Sequence, residues 1–481
     1  MKLSTLLGFA GLGAALPSLG SIKKFELNLT WDTRAPDGVE REQALVNGQF
    51  PGPPLLMDEG DTVEVTVNNY LHYNTTIHYH GLECTDSLLI NGRGRVRCVS
   101  PGYASSLIPP TMLSLLQGKN YTVKGCLALD NTYAQTTYAP HNLSAVPSTL
   151  YNECNATEAE EAVIDVESWK GWASLNFIGS ASISVPTVSI NNHSMWVYEV
   201  DGQYIQPALT VNNGGRYSAL VKLNNTAGDY PIIVANSGLN QKLAGRATLS
   251  YANGDPNIGS TPSINYGGNS LTSDVVVLDE STIKPLVSNK PSQRVDETYV
   301  LDIGRYEKAW RWSLNSNNAY NLALEAERPM LWDPKSYENS SLVIATKNNT
   351  WVDIIFKVVG DSTTLQPGHP LHKHSNPVYV LGSGTGEFNY TSVAEAAKEM
   401  PGMFNLVNPP MRDTFTSPAA FQGQAWMAIR YHVINPGAFF MHCHIDPHLT
   451  GGMALAMLDG VDVWPTVPAQ YGPKGHWGNA A

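Results

Sequence analysis

From Thr62 to Val67 polar and apolar residues alternate one for one, with Thr62, Glu64 and Thr66 on one side and Val63, Val65 and Val67 on the other. Side chains of an extended chain point to opposite faces in turn, so a period of two marks a strand with one buried face. A helix would scatter the same residues around its axis. Tyr217, Ala219, Val221 and Leu223 repeat the pattern, and residues 352–359 form a third strand-rich stretch. Clusters of Pro, Gly and Asn separate such runs, as between the strands of a sandwich. Composition agrees: 41 Gly and 31 Pro, with only 15% charged residues, disfavour long solvent-exposed helices. The pattern predicts an all-β chain.

A length of 481 residues exceeds what one core can organise and calls for several domains. Residues 253–273 are rich in Gly, Asn, Ser and Pro and read as a connection between a middle and a C-terminal domain. At the N-terminus Lys2, the apolar run from Leu6 to Leu16, and the small residues Ser18 and Gly20 read as a signal peptide cut before Ser21. That run is too short to span a bilayer, and no later segment has the apolar length. Sequons for N-glycans at Asn28, Asn74, Asn120, Asn142, Asn155, Asn192, Asn224, Asn339, Asn348 and Asn389 agree with a secreted, extracellular protein. The net charge of −12 argues against a nucleic-acid partner and against docking on anionic lipid. Of five cysteines, Cys84, Cys98, Cys126 and Cys154 lie close in sequence and can form two disulfides of unspecified pairing. Cys443 is left over.

Its neighbours explain why. His442-Cys443-His444 is followed by His448 and Met453. A thiolate, imidazoles and a thioether are the donors copper favours, and two His with one Cys and a weak axial Met make a blue-copper site. On an extended segment His442 and His444 face one way and Cys443 the other. One tripeptide then touches two metal sites and gives electrons a short covalent path between them. A zinc site or a buried structural cysteine is the alternative, but zinc more often uses separated Cys or His pairs. A second cluster is His369-Pro370-Leu371-His372-Lys373-His374, in which His372 and His374 share a face and His369 stands apart. A third, His78-Tyr79-His80-Gly81, is weak by itself.

Together the three clusters resemble the fungal multicopper oxidases of the laccase family, over roughly Phe25 to Val463. Residues 46–53 look like the family's N-terminal signature, and residues 86–92 like the start of its middle domain. Lys373, Ser375 and Asn376 depart from the usual Leu, Gly and His and look more like the ascomycete pigment-associated branch. The resemblance implies three consecutive cupredoxin-like domains, Greek-key β-sandwiches. They would occupy 21–83, 84–252 and 296–465, with a connection at 253–295 and a tail at 466–481. It also implies four coppers. His369, Cys443 and His448 would bind the type 1 copper, with Met453 axial. His78 and His372 would bind type 2, and His80, His374, His442 and His444 the type 3 pair. Phenolic or polyketide pigment precursors would give up electrons one at a time, and dioxygen would be reduced to water.

One part of the family pattern is missing. The family has four H-x-H segments, counting H-C-H, and this chain has three. The absent one belongs after Gly81, yet Glu83 runs straight into the middle-domain start. The span from Ser21 to Glu83 is well short of the roughly 100–150 residues of a usual domain. The first domain is therefore expected to be truncated and the trinuclear centre to lack two of eight histidines. His72 and His141 are the nearest spare histidines, and neither has a paired neighbour. The other readings are a copper protein that transfers electrons without reducing dioxygen, and a ferrous-ion oxidase, which needs acidic residues beside the type 1 site.

Overall fold

The computed structural model describes residues 22–35, 40–58, 61–88, 93–99, 162–251 and 262–466, apart from short gaps. The expected signal peptide, the sequons at Asn74, Asn120, Asn142 and Asn155, His141, Cys126, Cys154 and the tail from 467 lie outside the described residues. So do the side chains of Cys84 and Cys98. The chain divides into two compact units. The first comprises residues 1–32, 44–77 and 82–105; the second comprises 33–43, 78–81 and everything from 106 onward.

One sheet, in the first unit except for residues 33–34 and 41–43, is formed by β1 (Ile22–Arg34), β2 (Arg41–Val46), β3 (Thr62–Asn69), β4 (Glu83–Leu88) and β5 (Arg93–Val99) in the order β2-β1-β3-β5-β4. The alternation in β3 buries Val63, Val65 and Val67, and Leu27, Leu29 and Leu45 of β1 and β2 are buried too. β4 runs through the boundary expected at 83/84 and pairs with β5.

The second unit holds two sandwiches. In the first, β6 (Ala162–Val166), β7 (Trp172–Ile178), β8 (Pro186–Ile190), β9 (Met195–Val200), β10 (Gln203–Tyr204), β11 (Arg216–Lys222), β12 (Asp229–Asn236) and β13 (Ala244–Tyr251) make sheets β10-β9-β11-β7 and β6-β13-β12-β8. Tyr217, Ala219 and Val221 meet Tyr230, Ile232 and Leu249 in the core between them. The connection beyond residue 253 is packed rather than loose in its described part. Ile264 is buried with Ile233 and Ala235, and Leu278 and Ile283 join the sandwich core.

The second sandwich comprises β14 (Glu297–Tyr306), β15 (Lys308–Ser313), β16 (Val343–Ala345), β17 (Trp351–Val359), β18 (Pro370–Lys373), β19 (Val378–Thr385), β20 (Met411–Arg412), β21 (Thr414–Thr416), β22 (Gln424–His432), β23 (Gly437–Cys443) and β24 (Ala454–Asp459). Its sheets are β15-β14-β17-β22-β19-β20 and β16-β24-β23-β18-β21. Strand β17 is buried on both faces. Ile354, Phe356 and Val358 face the sheet of β23 and β24, while Ile355 packs under Val393 and Ala396 of helix α1 (Val393–Glu399). Helix α1 starts where the Ser392 side chain accepts from the Glu395 amide and the Glu395 carboxylate accepts from the Thr391 amide, a reciprocal cap. The chain is thus mostly β with short helices, as the alternation predicts. No described helix is long and apolar enough to cross a membrane.

Candidate metal centre

Strand β23 carries Met441, His442 and Cys443 into the heart of the last sandwich, and its neighbour β18 carries Leu371 and His372 in register, Leu371 opposite Cys443 and His372 opposite His442. Short helix α2 (Asp446–Thr450) follows and presents His448. Gly451 and Gly452 end it. Gly452 has φ +103°, and a Cβ there would lie 2.7 Å from Ala319 Cβ, so only glycine fits. The turn returns the chain so that the Met453 amide donates to His448 O at 2.9 Å and the Cys443 amide donates to Met453 O at 3.0 Å.

Two groups of side chains result. In the first, His369, Cys443 and His448 offer donor atoms that all lie within 4.8 Å of one another. Cys443 Sγ is 3.9 Å from His369 Nδ1 and 3.7 Å from His448 Nδ1, and the two Nδ1 atoms are 3.2 Å apart. Gln366 Oε1 accepts from His369 Nε2 at 3.2 Å, which leaves the Nδ1 lone pair turned toward the thiol. Met453 is fully buried in the same core as Cys443. Trp312 stacks on His448 with ring centroids 4.0 Å apart, and the Arg305 guanidinium lies 5.2 Å over the Trp312 ring.

The second group gathers His78, His80, His372, His374, His442 and His444. His78 Nε2 is 2.9 Å from His372 Nε2, and His80 Nε2 is 3.2 Å from His444 Nε2. The His374 and His442 rings are 5.4 Å apart, and the His78 ring stacks on His374 at 3.5 Å. Asp413 O accepts from His372 Nδ1 at 2.9 Å and Cys443 O from His442 Nδ1 at 2.8 Å, so both present Nε2 to the centre. His80 Nδ1 is buried without a hydrogen-bond partner. His72 is exposed and packs instead on Trp31 and Tyr73 of the first unit.

Burial pushes these imidazoles toward their neutral form. It takes His369 and His78 down to about 3, His80 and His442 down to about 4, and His372, His374 and His448 well below the ordinary value. Neighbouring imidazoles add to the effect at His78, His372 and His374. With His369, His372, His442 and His448 buried, His80, His374 and His444 half-buried and His78 exposed at the edge, these neutral imidazoles have lone pairs free for a metal. Two nitrogens bound to one ion at about 2.0–2.1 Å lie about 2.9–3.4 Å apart for bond angles from square to tetrahedral, so the 2.9 and 3.2 Å pairs fit a shared metal. Burial pushes the Cys443 thiol the other way, up to about 12. A metal bound there must first expel that proton.

Sequence reasoning missed the groups that frame the second cluster. Arg216 donates through Nη1 and Nη2 to both oxygens of Asp413 at 2.6 Å, and lies 3.1 Å from Asp201. Arg412, 3% exposed, donates to Asp201 at 2.7 Å and to Glu280 at 3.3 Å. Met411-Arg412-Asp413-Thr414 after two prolines was the available signal, a charged pair in an otherwise apolar stretch. Gly214 has φ +78°, and a Cβ there would lie 2.5 Å from His444 Cδ2.

Family models described as multicopper oxidase match residues 28–102 and 310–463. A laccase of Aspergillus fumigatus, abr2, is 34% identical over 95% of this chain and 98% of its own length. The multicopper oxidase GIP1 of Gibberella zeae is 32% identical over 97% and 88%, and Laccase-1 of Emericella nidulans is 32% identical over 91% and 95%. Among solved structures, the laccase of Botrytis aclada superposes with a TM-score of 0.65 at 19% identity over 93% of this chain and 89% of its own. Fet3p, a multicopper oxidase that functions in iron import, does so with 0.64 at 16% over 94% of each. These likenesses support the cupredoxin-like fold. With its all-β sandwiches, its gathered histidines and a buried Cys443 between two donor groups, the chain belongs to the multicopper oxidase family, as a laccase-like oxidoreductase whose cofactors are copper ions.

Proposed function

We propose that this is a secreted laccase-like oxidase of phenolic or polyketide pigment precursors whose trinuclear centre lacks two of the type 3 histidines. Copper held by these residues supplies one-electron redox chemistry and the reduction of dioxygen to water. His369, Cys443 and His448 would hold the type 1 ion, with Met453, buried in the same core, as a weaker fourth donor. His78 and His372 would hold the type 2 ion. The observation that carries the reading is the position of Cys443. Its sulfur lies with His369 and His448, while the rings of the residues on either side lie in the second cluster. The backbone of three consecutive residues therefore joins the two groups. Gln366, Asp413 O and Cys443 O fix the rings of His369, His372 and His442. Trp312 covers the His448 ring.

The pairing of rings supports the expected shortage of ligands. His80 pairs with His444 and His374 lies beside His442, so each type 3 ion would keep two histidines where the family supplies three. The alignment with the Aspergillus fumigatus laccase supports this: it spans 579 positions against 481 residues in the whole chain, so many positions face gaps here. The HKHSN string at residues 372–376 supports the pigment-associated branch. A complete type 1 donor set beside a depleted cluster also favours a second reading, a copper protein that accepts electrons but scarcely reduces dioxygen. Copper-to-protein ratio and oxygen uptake with a phenol, measured on this chain and on one carrying the missing first-domain segment, decide between them. Restoration should raise both together. Full loading and vigorous oxygen reduction by the chain as it stands would refute the ligand loss.

A further inference from the structure

Lys373 stands between His372 and His374, and its side chain leaves the strand on the opposite face. There it is 0% exposed, and Nζ donates at 3.0 Å to Asp459 Oδ2, which is equally buried. Asp459 closes β24 opposite Gly437, the first residue of β23, which ends in His442-Cys443. Its carboxylate is saturated. Oδ2 also accepts from Asn376 Nδ2 at 2.8 Å, and Oδ1 accepts from Thr346 Oγ1 at 3.0 Å and from the Tyr431 hydroxyl at 3.2 Å. The ammonium lies 4.3 Å from the centre of the Tyr431 ring and donates to His374 O at 3.3 Å. Asn376 Oδ1 in turn accepts from the amides of Ile434 and Asn435. Lys373 and Asn376, both departures from the family string, thus converge on one carboxylate.

A buried ion pair is a weak source of stability, because desolvating both charges costs about what their attraction returns. Its best-attested use is to specify register. Strand β18 needs such a device. It is four residues long, and three of them pair with β21 and three with β23. A slip of one residue would turn every side chain to the other face. It would carry Lys373 in among the imidazoles and leave Asp459 unpaired in the apolar core, so the ion pair makes that slip prohibitive. We propose that Lys373 and Asp459 are a positioning pair that locks the register and twist of the histidine strand, holding His372 and His374 toward the metal centre. The proposal rests on the reading of these two histidines as copper ligands, but its first test needs no metal.

The test uses the full chain with Lys373→Met and with Lys373→Met/Asp459→Asn. In the copper-free protein the His372 Nδ1 proton, held by the Asp413 carbonyl, is followed by NMR with nitrogen-labelled histidine. Its exchange should quicken at least tenfold in both variants. The urea midpoint should fall in the single variant and largely recover in the double one, since the unpaired charge is gone. In the copper-loaded protein the non-blue copper should bind at least tenfold more weakly in both variants, with the blue absorption kept. A double variant with recovered midpoint and wild-type proton exchange would overturn the proposal and leave the pair merely structural. Altered exchange with unaltered non-blue copper binding would instead refute the reading of His372 and His374 as ligands.

Discussion

Acidifying the copper-free protein should expose how much folding free energy its neutral histidines store. His369 is fully buried and His442 is 7% exposed, and burial holds their pKa values at about 3 and about 4. In the unfolded chain both return to about 6.5. Between those values the unfolded state binds the proton and the folded state does not, so acid favours unfolding. Each contribution is fully present above pH 6.5 and is lost as the pH falls toward the folded pKa. At pH 4.5 the loss is about 2.5 kcal/mol per imidazole, hence about 5 kcal/mol for the two, at about 1.36 kcal/mol per pH unit. With a urea slope of about 1–3 kcal/mol/M, these two alone should lower the midpoint by roughly 2 M between pH 7 and 4.5. Near-UV circular dichroism of the copper-free chain in urea measures it. The double variant His369→Gln/His442→Gln removes these two from the set of depressed imidazoles and should shrink the parent's drop by roughly 2 M, the remainder coming from His78, His80, His372, His374 and His448. A variant that keeps the whole drop, or a parent chain whose midpoint barely moves, would show that these imidazoles are not held neutral by burial.

Three further outcomes follow from the same geometry. Copper binding at the Cys443 group must expel the thiol proton, while His369 and His448 are already neutral, so affinity should rise about tenfold per unit between pH 5 and 8; a flat chelator-competition profile would mean the thiol is ionised before copper arrives. Gly214→Ala places a methyl 2.5 Å from His444 Cδ2 and should push that ring away from His80, lowering non-blue copper content while the blue band persists; unchanged copper content would contradict the pairing of His80 with His444. Arg412→Met leaves the Asp201 carboxylate buried with one fewer cation and should cost about 3–5 kcal/mol in urea unfolding; a loss below about 1 kcal/mol would show that Arg216 alone compensates that charge.

What could be read from the chain alone was whatever depends on neighbours in sequence. Side-chain alternation is a property of extended backbone, so Val63, Val65 and Val67 declare a half-buried strand without any knowledge of their partner. The same alternation lets His442, Cys443 and His444 address two sites. Donor chemistry is equally local, and a thiol, imidazoles and a thioether name copper before any fold is known. Strand β17 shows where this reasoning stops. Its pattern announces a strand, but Ile355 is buried by a helix some forty residues further on, between residues 393 and 399. Only the tertiary structure decided which imidazoles meet, since His78 and His372 are 294 positions apart and His80 and His444 are 364 apart. It alone decided their protonation too, because a pKa shifts with the dielectric and charges around a group rather than with its identity. The partners of Arg412 and Lys373, 211 and 86 positions away, belong with these. A charged residue in a sequence reads as solvent-exposed until long-range folding brings a carboxylate to meet it, and both of these cations are buried for that reason.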